Sequence, residues 1–334
     1  MTHASAPRGV RLLGTGSAVP PAELTNKDLE KILDTTDEWI HQRTGITARR
    51  ICDPGREGTY TLARDAVSRA LEASKRRAED LDLVICATCT AEMTCPSTAC
   101  RITGALGATR AGAFDLTAAC SGFVYAMNVA DTLIRSGRFQ RIGVVGADAM
   151  STMVDYTDRS VSILFGDAAG AAILEADPDP SRGCIHQTLS ADGSDWRTLY
   201  MPRRCQEIPP GEESNPIRLG YLRMHGREVF RFAVTKFREV IEEALSATKL
   251  TPDDVSQFIC HQSNRRIIET AIEKIGLPRD KVHVNIDRYG NSSAGSVGLC
   301  LDELWRAGKI PQGRPMILVA FGGGLTWASS VWNV

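Results

Sequence analysis

The chain has 334 residues, of which 43% are hydrophobic and 24% are charged, so it can bury a sizeable core in one large domain or two fused ones. Its formal net charge of -1 gives no whole-molecule reason to expect nucleic acid or an anionic membrane as a partner. The first residues lack the apolar core of a secretory signal, and no segment has the roughly 18 apolar residues of a membrane span. We therefore expect a cytoplasmic protein.

The first half of the chain alternates strand and helix patterns, which predicts an α/β fold. The predicted strands cover 10–13, 83–88, 113–117, 142–146 and 170–175. The predicted helices cover 60–75, 97–106 and 121–136.

The second half repeats this style, which is consistent with an internal duplication. Its predicted strands cover 257–260, 282–285, 316–321 and 329–333, and its predicted helices cover 226–247, 264–275 and 293–307. The turn-forming segment 176–183 connects the halves, and the segment 203–213, rich in proline and charge, is predicted to be a surface loop. In such an architecture the turns after several strands can converge on one crevice.

Ten cysteines occur at irregular spacing, and several lie inside apolar runs, as Cys86 and Cys300 do. In a chain of this size they are typical of buried reduced thiols, so we expect no disulfide framework. Cys86 and Cys89 form a C-x-x-C pair, but a strand would point residues three apart to opposite faces of its sheet. We therefore expect no metal site there.

Cys120 lies where the predicted strand 113–117 gives way to the predicted helix 121–136. A thiol at a helix N-terminus meets unsatisfied backbone N–H groups and the positive end of the helix dipole, so we expect a pKa below the ordinary value of about 8.5. Small residues on both sides leave room for a substrate. The alternative is that Cys120 packs as a small hydrophobic residue, as free cysteines usually do.

His261 and Asn291 have similar predicted positions, since each follows a predicted strand. Taken singly, a histidine in a turn or an asparagine at a helix N-terminus is typical of an ordinary hydrogen-bonded structural residue. Together with Cys120, the three complementary side chains indicate a nucleophilic catalytic site at converging strand ends.

Three consecutive glycines, Gly322 to Gly324, follow the predicted strand 316–321. Their backbone could present N–H groups to a developing oxyanion, provided that this loop meets Cys120. The alternative is a tight turn between paired strands.

With Cys120, His261 and Asn291 in this order, the sequence resembles the 3-oxoacyl-(acyl-carrier-protein) synthase III family of the thiolase superfamily. The resemblance runs nearly end to end. It implies a duplicated five-layer αβαβα thiolase fold, with halves at 1–176 and 177–334, and a homodimer. The matching motifs are Asp37-Glu38-Trp39-Ile40, Arg43-Thr44-Gly45-Ile46, Ala118-Ala119-Cys120-Ser121-Gly122-Phe123, Phe165-Gly166-Asp167, Gly226-Arg227-Glu228-Val229-Phe230, His261-Gln262-Ser263-Asn264, Gly290-Asn291-Ser292-Ser293-Ala294 and Phe321-Gly322-Gly323-Gly324.

The resemblance implies a decarboxylating condensation of an acyl-CoA primer with malonyl-acyl carrier protein, which starts fatty acid synthesis. Cys120 would carry the acyl group as a thioester. His261 and Asn291 would donate hydrogen bonds to the enolate oxygen, and the N–H groups of Cys120 and Gly323 would hold the second oxyanion. Phe321 would wall the malonyl site, and no metal or other cofactor is implied.

The resemblance also implies binding residues. Trp39 and Arg159 would hold the adenine of CoA, although without the resemblance a core tryptophan and a solvated arginine are the ordinary interpretations. The tunnel for CoA would be lined by Arg43, Gly226, Phe230 and Asn264. An acidic carrier protein would meet the basic residues Arg231, Arg265, Arg266 and Lys274, for which a solvated helix face is the alternative.

The chain departs from the family pattern at Cys95, where members that take only acetyl primers have a bulky aromatic residue that reaches the acyl pocket of the partner subunit. The smaller side chain predicts primers longer than acetyl. Ser263, where alanine is common, and His225 lie near the expected tunnel, and the effects of these two differences do not follow from the sequence.

Other functions compete with this interpretation. A related Cys-His-Asn condensing enzyme or acyltransferase of secondary metabolism is the nearest rival. Hydroxymethylglutaryl-CoA synthase fits less well, because it needs a carboxylate near the thiol and only Asp115 is close in sequence. A noncatalytic acyl-CoA-binding protein of the same fold is a further alternative.

Overall fold

The computed structural model describes residues 8–212 and 219–334, which form a layered α/β fold. Its strands are β1 (Gly9–Ala18), β2 (Glu23–Thr25), β3 (Ala48–Arg50), β4 (Leu83–Ala87), β5 (Gly112–Leu116), β6 (Arg141–Ala149), β7 (Asp167–Asp177), β8 (Gly183–Ala191), β9 (Leu199–Tyr200), β10 (Arg223–Met224), β11 (Gln257–Cys260), β12 (Pro315–Gly322) and β13 (Thr326–Asn333). Its helices are α1 (Asn26–Leu29), α2 (Asp37–Thr44), α3 (Thr59–Ser74), α4 (Thr98–Leu106), α5 (Gly122–Arg135), α6 (Arg159–Ser162), α7 (Gly226–Thr248), α8 (Arg265–Ile275), α9 (Ile286–Tyr289) and α10 (Gly295–Arg306).

Two mixed sheets carry the fold. The first has the order β1-β7-β6-β4-β5, and the second has the order β11-β12-β13-β8. In both sheets the central strands are buried on both faces, which explains why β4 and β12 are almost continuously apolar. Two short ribbons, β2 with β3 and β9 with β10, lie outside these sheets.

The helices form three layers around the two sheets. Helices α5 and α10 lie between the sheets, α3 and α4 cover the first sheet, and α7 and α8 cover the second. The central layer packs closely: a Cβ on Gly170 of β7 would lie 2.1 Å from the carbonyl carbon of Gly298 on α10. The five-layer α/β arrangement expected from the sequence is therefore confirmed.

The predicted strand at 282–285 is wrong. The structure has a single parallel bridge there, between Phe258 and Val282. The Gln262 side chain takes the place of a ladder, since its amide nitrogen donates to the His283 carbonyl and its oxygen accepts the Asn285 N–H. Asn291 therefore follows the short helix α9 rather than a strand.

Strand β8 is absent from the sequence prediction. It is an edge strand that leaves one face open, with Ile185 and Leu189 exposed, and its many polar residues hide the apolar pattern. The other predicted strands and helices are present, but β1 (Gly9–Ala18) extends well beyond the predicted 10–13, while the other ends shift by up to three residues. The loop 203–213 is mostly exposed up to Glu212, and Glu213 lies outside the described residues.

All ten cysteines lie among the described residues, and each carries a free thiol. Within residues 8–212 and 219–334, no helix combines the length and the apolar character needed to cross a bilayer.

Candidate active site

Cys120 lies in a one-turn 3-10 helix, Ala119–Ser121, directly before the buried helix α5. Two neighbours adopt the left-handed region that side chains usually avoid: Ala119 has φ +46° and Ser293 has φ +49°. Such strain persists only where the surrounding structure enforces it, and here it flanks the thiol on both sides. The backbone is therefore shaped around Cys120.

The expected lowering of the Cys120 pKa is wrong. Burial raises the pKa of the thiol to about 12, against a hydrogen bond from Ser293 that lowers it, and the nearby Asp148 carboxylate raises it further. Loss of water around a thiol that is only 7% exposed is the main cause of this rise. The resting thiol is protonated near neutral pH.

His261 follows β11 and is held at both ends. Its backbone N–H donates to the Val319 carbonyl at 2.8 Å, and its Nδ1 lies 2.6 Å from the Ser296 hydroxyl. The ring packs edge to face on Phe321, with 5.4 Å between ring centroids. Burial lowers the pKa of His261 to about 3, so the imidazole is neutral near pH 7.

Asn291 is fixed by its own loop. Its backbone N–H donates to the Leu164 carbonyl at 2.8 Å, and its carbonyl accepts the Gly166 N–H at 3.0 Å. The side-chain oxygen accepts the Ser293 N–H at 2.9 Å. Because that oxygen is occupied, the amide NH2 is the group left to donate to a ligand.

The glycine loop meets Cys120, as an oxyanion role requires. A Cβ on Gly322 would lie 2.7 Å from the Cys120 backbone nitrogen. The Thr326 hydroxyl is 2.7 Å from the Ser121 hydroxyl and 3.1 Å from both the Ala118 and Gly323 carbonyl oxygens. The loop is also the turn between β12 and β13, so the tight turn expected from the sequence is present and the oxyanion role stays a prediction.

The three predicted catalytic side chains share one cavity of about 90 Å³, here called the His–Asn cavity. It runs from Cys120 towards the exposed start of α7 at Gly226, and its walls are mainly apolar. It is lined by Cys120, Leu164, Phe165, Leu199, Met224, Gly226, Val229, Phe230, Phe232, His261, Ser263, Asn264, Ile267, Asn291, Phe321, Gly322 and Leu325.

A second cavity, of about 140 Å³, opens on the other side of Cys120 and is here called the methionine cavity. Its walls are almost wholly apolar, and three flexible methionines contribute to them. It is lined by Cys89, Ala119, Cys120, Met150, Met153, Phe165, Leu199, Tyr200, Met201, Leu222, Ser293 and Gly323. Cys120 thus stands where two chambers meet.

The proposed adenine residues lie at the surface. The guanidinium carbons of Arg43 and Arg159 lie 4.6 and 4.8 Å from the centroid of the Trp39 ring. Trp39 is half-buried and both arginines are exposed. In this structure the indole is therefore stacked with cations.

The predicted tunnel residues Asn264 and Arg43 are in contact with each other. The Asn264 side chain caps α8 by accepting the Arg266 N–H, and it donates to the Arg43 carbonyl. Cys95 is exposed and lines neither cavity within the single chain.

The four predicted basic residues are all exposed on α7 and α8. Arg266 lies 5.6 Å over the ring of Phe230, which lines the His–Asn cavity. Arg265 is paired with Glu269 at 2.9 Å, which reduces its free charge. Arg231 and Lys274 complete this surface.

Asp148 is a site residue that the sequence reasoning missed. It is fully buried and accepts hydrogen bonds from the Thr88 and Thr90 hydroxyls and from the Cys89 and Ala294 N–H groups. It therefore ties the turn after β4 to the loop that carries Asn291. Asp148 ends an apolar strand, but no spacing in the sequence links it to Asn291.

The comparisons with known proteins identify the family of the chain. Residues 114–193 match the family model of 3-oxoacyl-[acyl-carrier-protein (ACP)] synthase III, and residues 245–334 match the model of its C-terminal part. A protein of Caldanaerobacter subterraneus named beta-ketoacyl-[acyl-carrier-protein] synthase III is 45% identical over 320 residues, which cover 96% of each chain.

Solved structures of similar proteins have the same fold. The crystal structure of 3-oxoacyl-[acyl-carrier-protein] synthase III from Aquifex aeolicus is 41% identical, has a TM-score of 0.90, and covers 98% of this chain and 100% of its own. The priming beta-ketosynthase of the R1128 polyketide pathway is 36% identical, with a TM-score of 0.90 and coverage of 98% and 97%. The chain therefore belongs to the 3-oxoacyl-(acyl-carrier-protein) synthase III family.

Proposed function

We propose that this chain condenses an acyl-CoA primer with malonyl-acyl carrier protein and so initiates fatty acid synthesis. The observation that carries the proposal is the junction of two cavities at Cys120, with His261, Asn291 and Phe321 around one of them. A thiol between two chambers can hold an acyl chain in one and receive a second substrate from the other.

The first half-reaction transfers the acyl group. The Cys120 sulfur attacks the thioester carbon of acyl-CoA, the bond to the CoA sulfur breaks, and the thiol proton ends on the released CoA. The N–H groups of Cys120 and Gly323 hold the tetrahedral oxyanion, which the contact between the glycine loop and Cys120 supports.

The second half-reaction begins with loss of carbon dioxide from the malonyl group. The electron pair of the broken C–C bond moves towards the thioester oxygen, where the Asn291 amide and His261 Nε2 donate hydrogen bonds. The apolar face of Phe321 gives the carboxylate no compensating charge, which favours its departure as a neutral molecule.

The carbon nucleophile then attacks the acyl group on Cys120. The C–S bond breaks, the 3-oxoacyl chain leaves on the carrier protein, and the Cys120 thiolate takes up one proton to restore the resting thiol. None of these steps calls for a metal or another cofactor.

The methionine cavity is proposed as the primer pocket. Its volume is several times what a single water requires, and its methionines can change rotamer to fit a chain. Both features support primers longer than acetyl. Cys95 of a partner subunit would border this pocket in the homodimer implied by the family.

The remaining contacts are proposed from position. CoA would place its adenine at Trp39 and Arg159 and run its pantetheine arm past Arg43, Gly226, Phe230 and Asn264. The carrier protein would dock on the exposed basic residues of α7 and α8, where rim charges speed encounter more than they add affinity.

Mass spectrometry of the intact protein after exposure to acetyl-, butyryl-, isobutyryl- and octanoyl-CoA tests the proposal. We expect a single acyl adduct on Cys120 with several chains. Absence of any adduct would leave a noncatalytic acyl-CoA-binding protein as the better interpretation. Octanoyl-CoA that fails where acetyl-CoA reacts would refute the longer primer.

The second substrate is tested with malonyl-acyl carrier protein against malonyl-CoA, followed by product analysis. We expect 3-oxoacyl-carrier protein. Turnover with malonyl-CoA alone, or transfer of the acyl group to an oxygen or nitrogen acceptor, would favour the secondary-metabolite enzyme. The similarity to the R1128 priming ketosynthase makes that comparison necessary.

A further inference from the structure

Ser296 is the polar group that contacts the back of the His261 ring. It lies in the first turn of α10, and its hydroxyl oxygen is 2.6 Å from His261 Nδ1. Both residues are 1% exposed, so bulk water does not reach the contact. The direction of this hydrogen bond decides where the imidazole carries its proton.

The surrounding contacts determine that direction. The Ser296 oxygen also receives the backbone N–H of Gln262 at a longer 3.5 Å. Across the described parts of the chain, His261 Nδ1 is the acceptor that the hydroxyl hydrogen reaches. If Nδ1 were protonated instead, the oxygen would face two donors and its own hydrogen would be buried without a partner, which proteins rarely tolerate.

Ser296 therefore donates and Nδ1 accepts. The imidazole is neutral because burial lowers the pKa of His261 to about 3, so the ring carries one proton. With Nδ1 occupied as an acceptor, that proton is on Nε2.

We propose that Ser296 is a positioning residue that fixes His261 as the Nε2–H tautomer, the form that can donate to the thioester oxygen of the malonyl substrate. This inference rests on the proposed function, because it assigns a task to the decarboxylating step. The opposite tautomer would aim a lone pair at the oxygen where negative charge develops, and the ring would repel the enolate.

The role predicts a selective defect. Without the hydroxyl, Nδ1 loses its donor and both tautomers become populated, so decarboxylation slows. Transfer of the acyl group to Cys120 does not use the Nε2 hydrogen and should proceed at nearly the normal rate. A merely structural role of Ser296 would slow both steps together.

The experiment compares Ser296→Ala with Ser296→Thr, which keeps a hydroxyl, and with Ser329→Ala as a matched control. Ser329 is a fully buried serine of β13 whose hydroxyl has no hydrogen-bond partner among the described residues. Malonyl-acyl carrier protein decarboxylation and Cys120 acylation by acyl-CoA are measured separately for each protein.

We expect Ser296→Ala to lower kcat for decarboxylation about tenfold, with KM for malonyl-acyl carrier protein and the acylation rate changed less than about twofold. Ser296→Thr should recover most of the rate, and Ser329→Ala should behave as the unmodified protein. In ¹⁵N spectra of the histidine rings, the unmodified protein should show His261 protonated at Nε2, and Ser296→Ala should show a mixture.

Equal losses in both half-reactions, an unchanged kcat in Ser296→Ala, or an Nδ1-protonated ring in the unmodified protein would overturn the inference. If Ser296→Ala does not fold, the ring spectrum of the unmodified protein still decides. Failure of the proposed function is a separate result, since the unmodified protein would then not decarboxylate malonyl-acyl carrier protein at all.

Discussion

The two sheets have the same strand order and orientations, yet the turns that follow their equivalent strands carry different side chains. Strand by strand, β1-β7-β6-β4-β5 corresponds to β8-β13-β12-β11 followed by the Val282 bridge, with antiparallel and parallel pairs in the same places. This correspondence supports the proposed halves at 1–176 and 177–334.

The difference lies in the turns at equivalent positions. The turn after β4 carries Cys89, whose N–H and thiol both donate hydrogen bonds to the buried Asp148 carboxylate. The polar groups of Cys89 are therefore already bonded within the protein. The turn after β11 carries His261, whose outer edge faces a cavity and whose neighbour at the end of β12 is the apolar Phe321. In the proposed function, one half thus supplies the nucleophile Cys120 and a rigid polar frame, and the other half supplies the hydrogen-bond donors for the malonyl group.

The largest expected effect removes the nucleophile of the first half. Cys120→Ala should lower condensation by at least about 10⁴-fold, because no other group can carry the acyl chain between the cavities. Intact-protein mass spectrometry should show no acyl adduct. Cys205→Ser, which alters an exposed thiol on a surface loop, is the control and should keep both adduct and rate.

The donors of the second half come next. His261→Ala and Asn291→Ala should each lower malonyl-acyl carrier protein decarboxylation about 10²- to 10³-fold, because each removes one donor from the enolate oxygen. Acylation of Cys120 should change by only a few fold. The double variant should lose less than the product of the single losses, since both donors serve one atom. An acylation defect as large as the decarboxylation defect would break the division between the halves.

A smaller effect concerns stability against pH. Burial lowers the pKa of His261 to about 3 in the folded protein, below the unfolded value of about 6.5. The neutral imidazole therefore contributes fully to the free energy of unfolding above pH 6.5, and this contribution is lost as the pH falls towards 3. Within that window the free energy of unfolding falls by about 1.4 kcal/mol for each pH unit, so the total loss at pH 5 is about 2 kcal/mol. His261→Gln should lack this dependence in urea unfolding at fixed protein concentration. Parallel pH profiles for the two proteins would contradict a buried neutral imidazole.

The smallest effect concerns the contact between the glycine loop of the second half and Cys120 of the first half. Gly322→Ala places a Cβ 2.7 Å from the Cys120 nitrogen, so the glycine loop must shift and the oxyanion donors separate. We expect about a tenfold loss of condensation rate and a lower melting temperature, because the Cβ meets buried backbone rather than the end of a flexible side chain. Gly193→Ala is the matched control, because its Cβ meets no atom within 4 Å. Equal activity of both variants would show that the loop adapts.

The sequence predicted the architecture because buried strands and amphipathic helices leave strong periodic patterns. It failed at 282–285, where the Gln262 side chain replaces a ladder, and at β8, an exposed edge strand. Both depend on contacts between distant residues that no local pattern records.

Cys120 and His261 could be proposed from the sequence because each follows an apolar strand at a turn, whereas Asn291 follows the short helix α9 and was proposed to follow a strand that is absent. The raised Cys120 pKa was not predictable, since depth of burial is a property of the folded chain. Asp148 and Ser296 were missed because Ala294, which Asp148 contacts, is 146 residues away and His261, which Ser296 contacts, is 35 residues away.

The two arginines over the Trp39 ring have a consequence for the order of substrates if both thioesters enter the proposed tunnel there. The guanidinium carbons of Arg43 and Arg159 both lie within 5 Å of the indole centroid, so under the proposed binding mode the adenine of CoA would displace one of these cations to stack on the ring. The phosphopantetheine arm of a carrier protein brings no purine and can pass with the stack intact. Displacement of an arginine from Trp39 would then distinguish acyl-CoA from malonyl-acyl carrier protein before either thioester reaches the Cys120 sulfur.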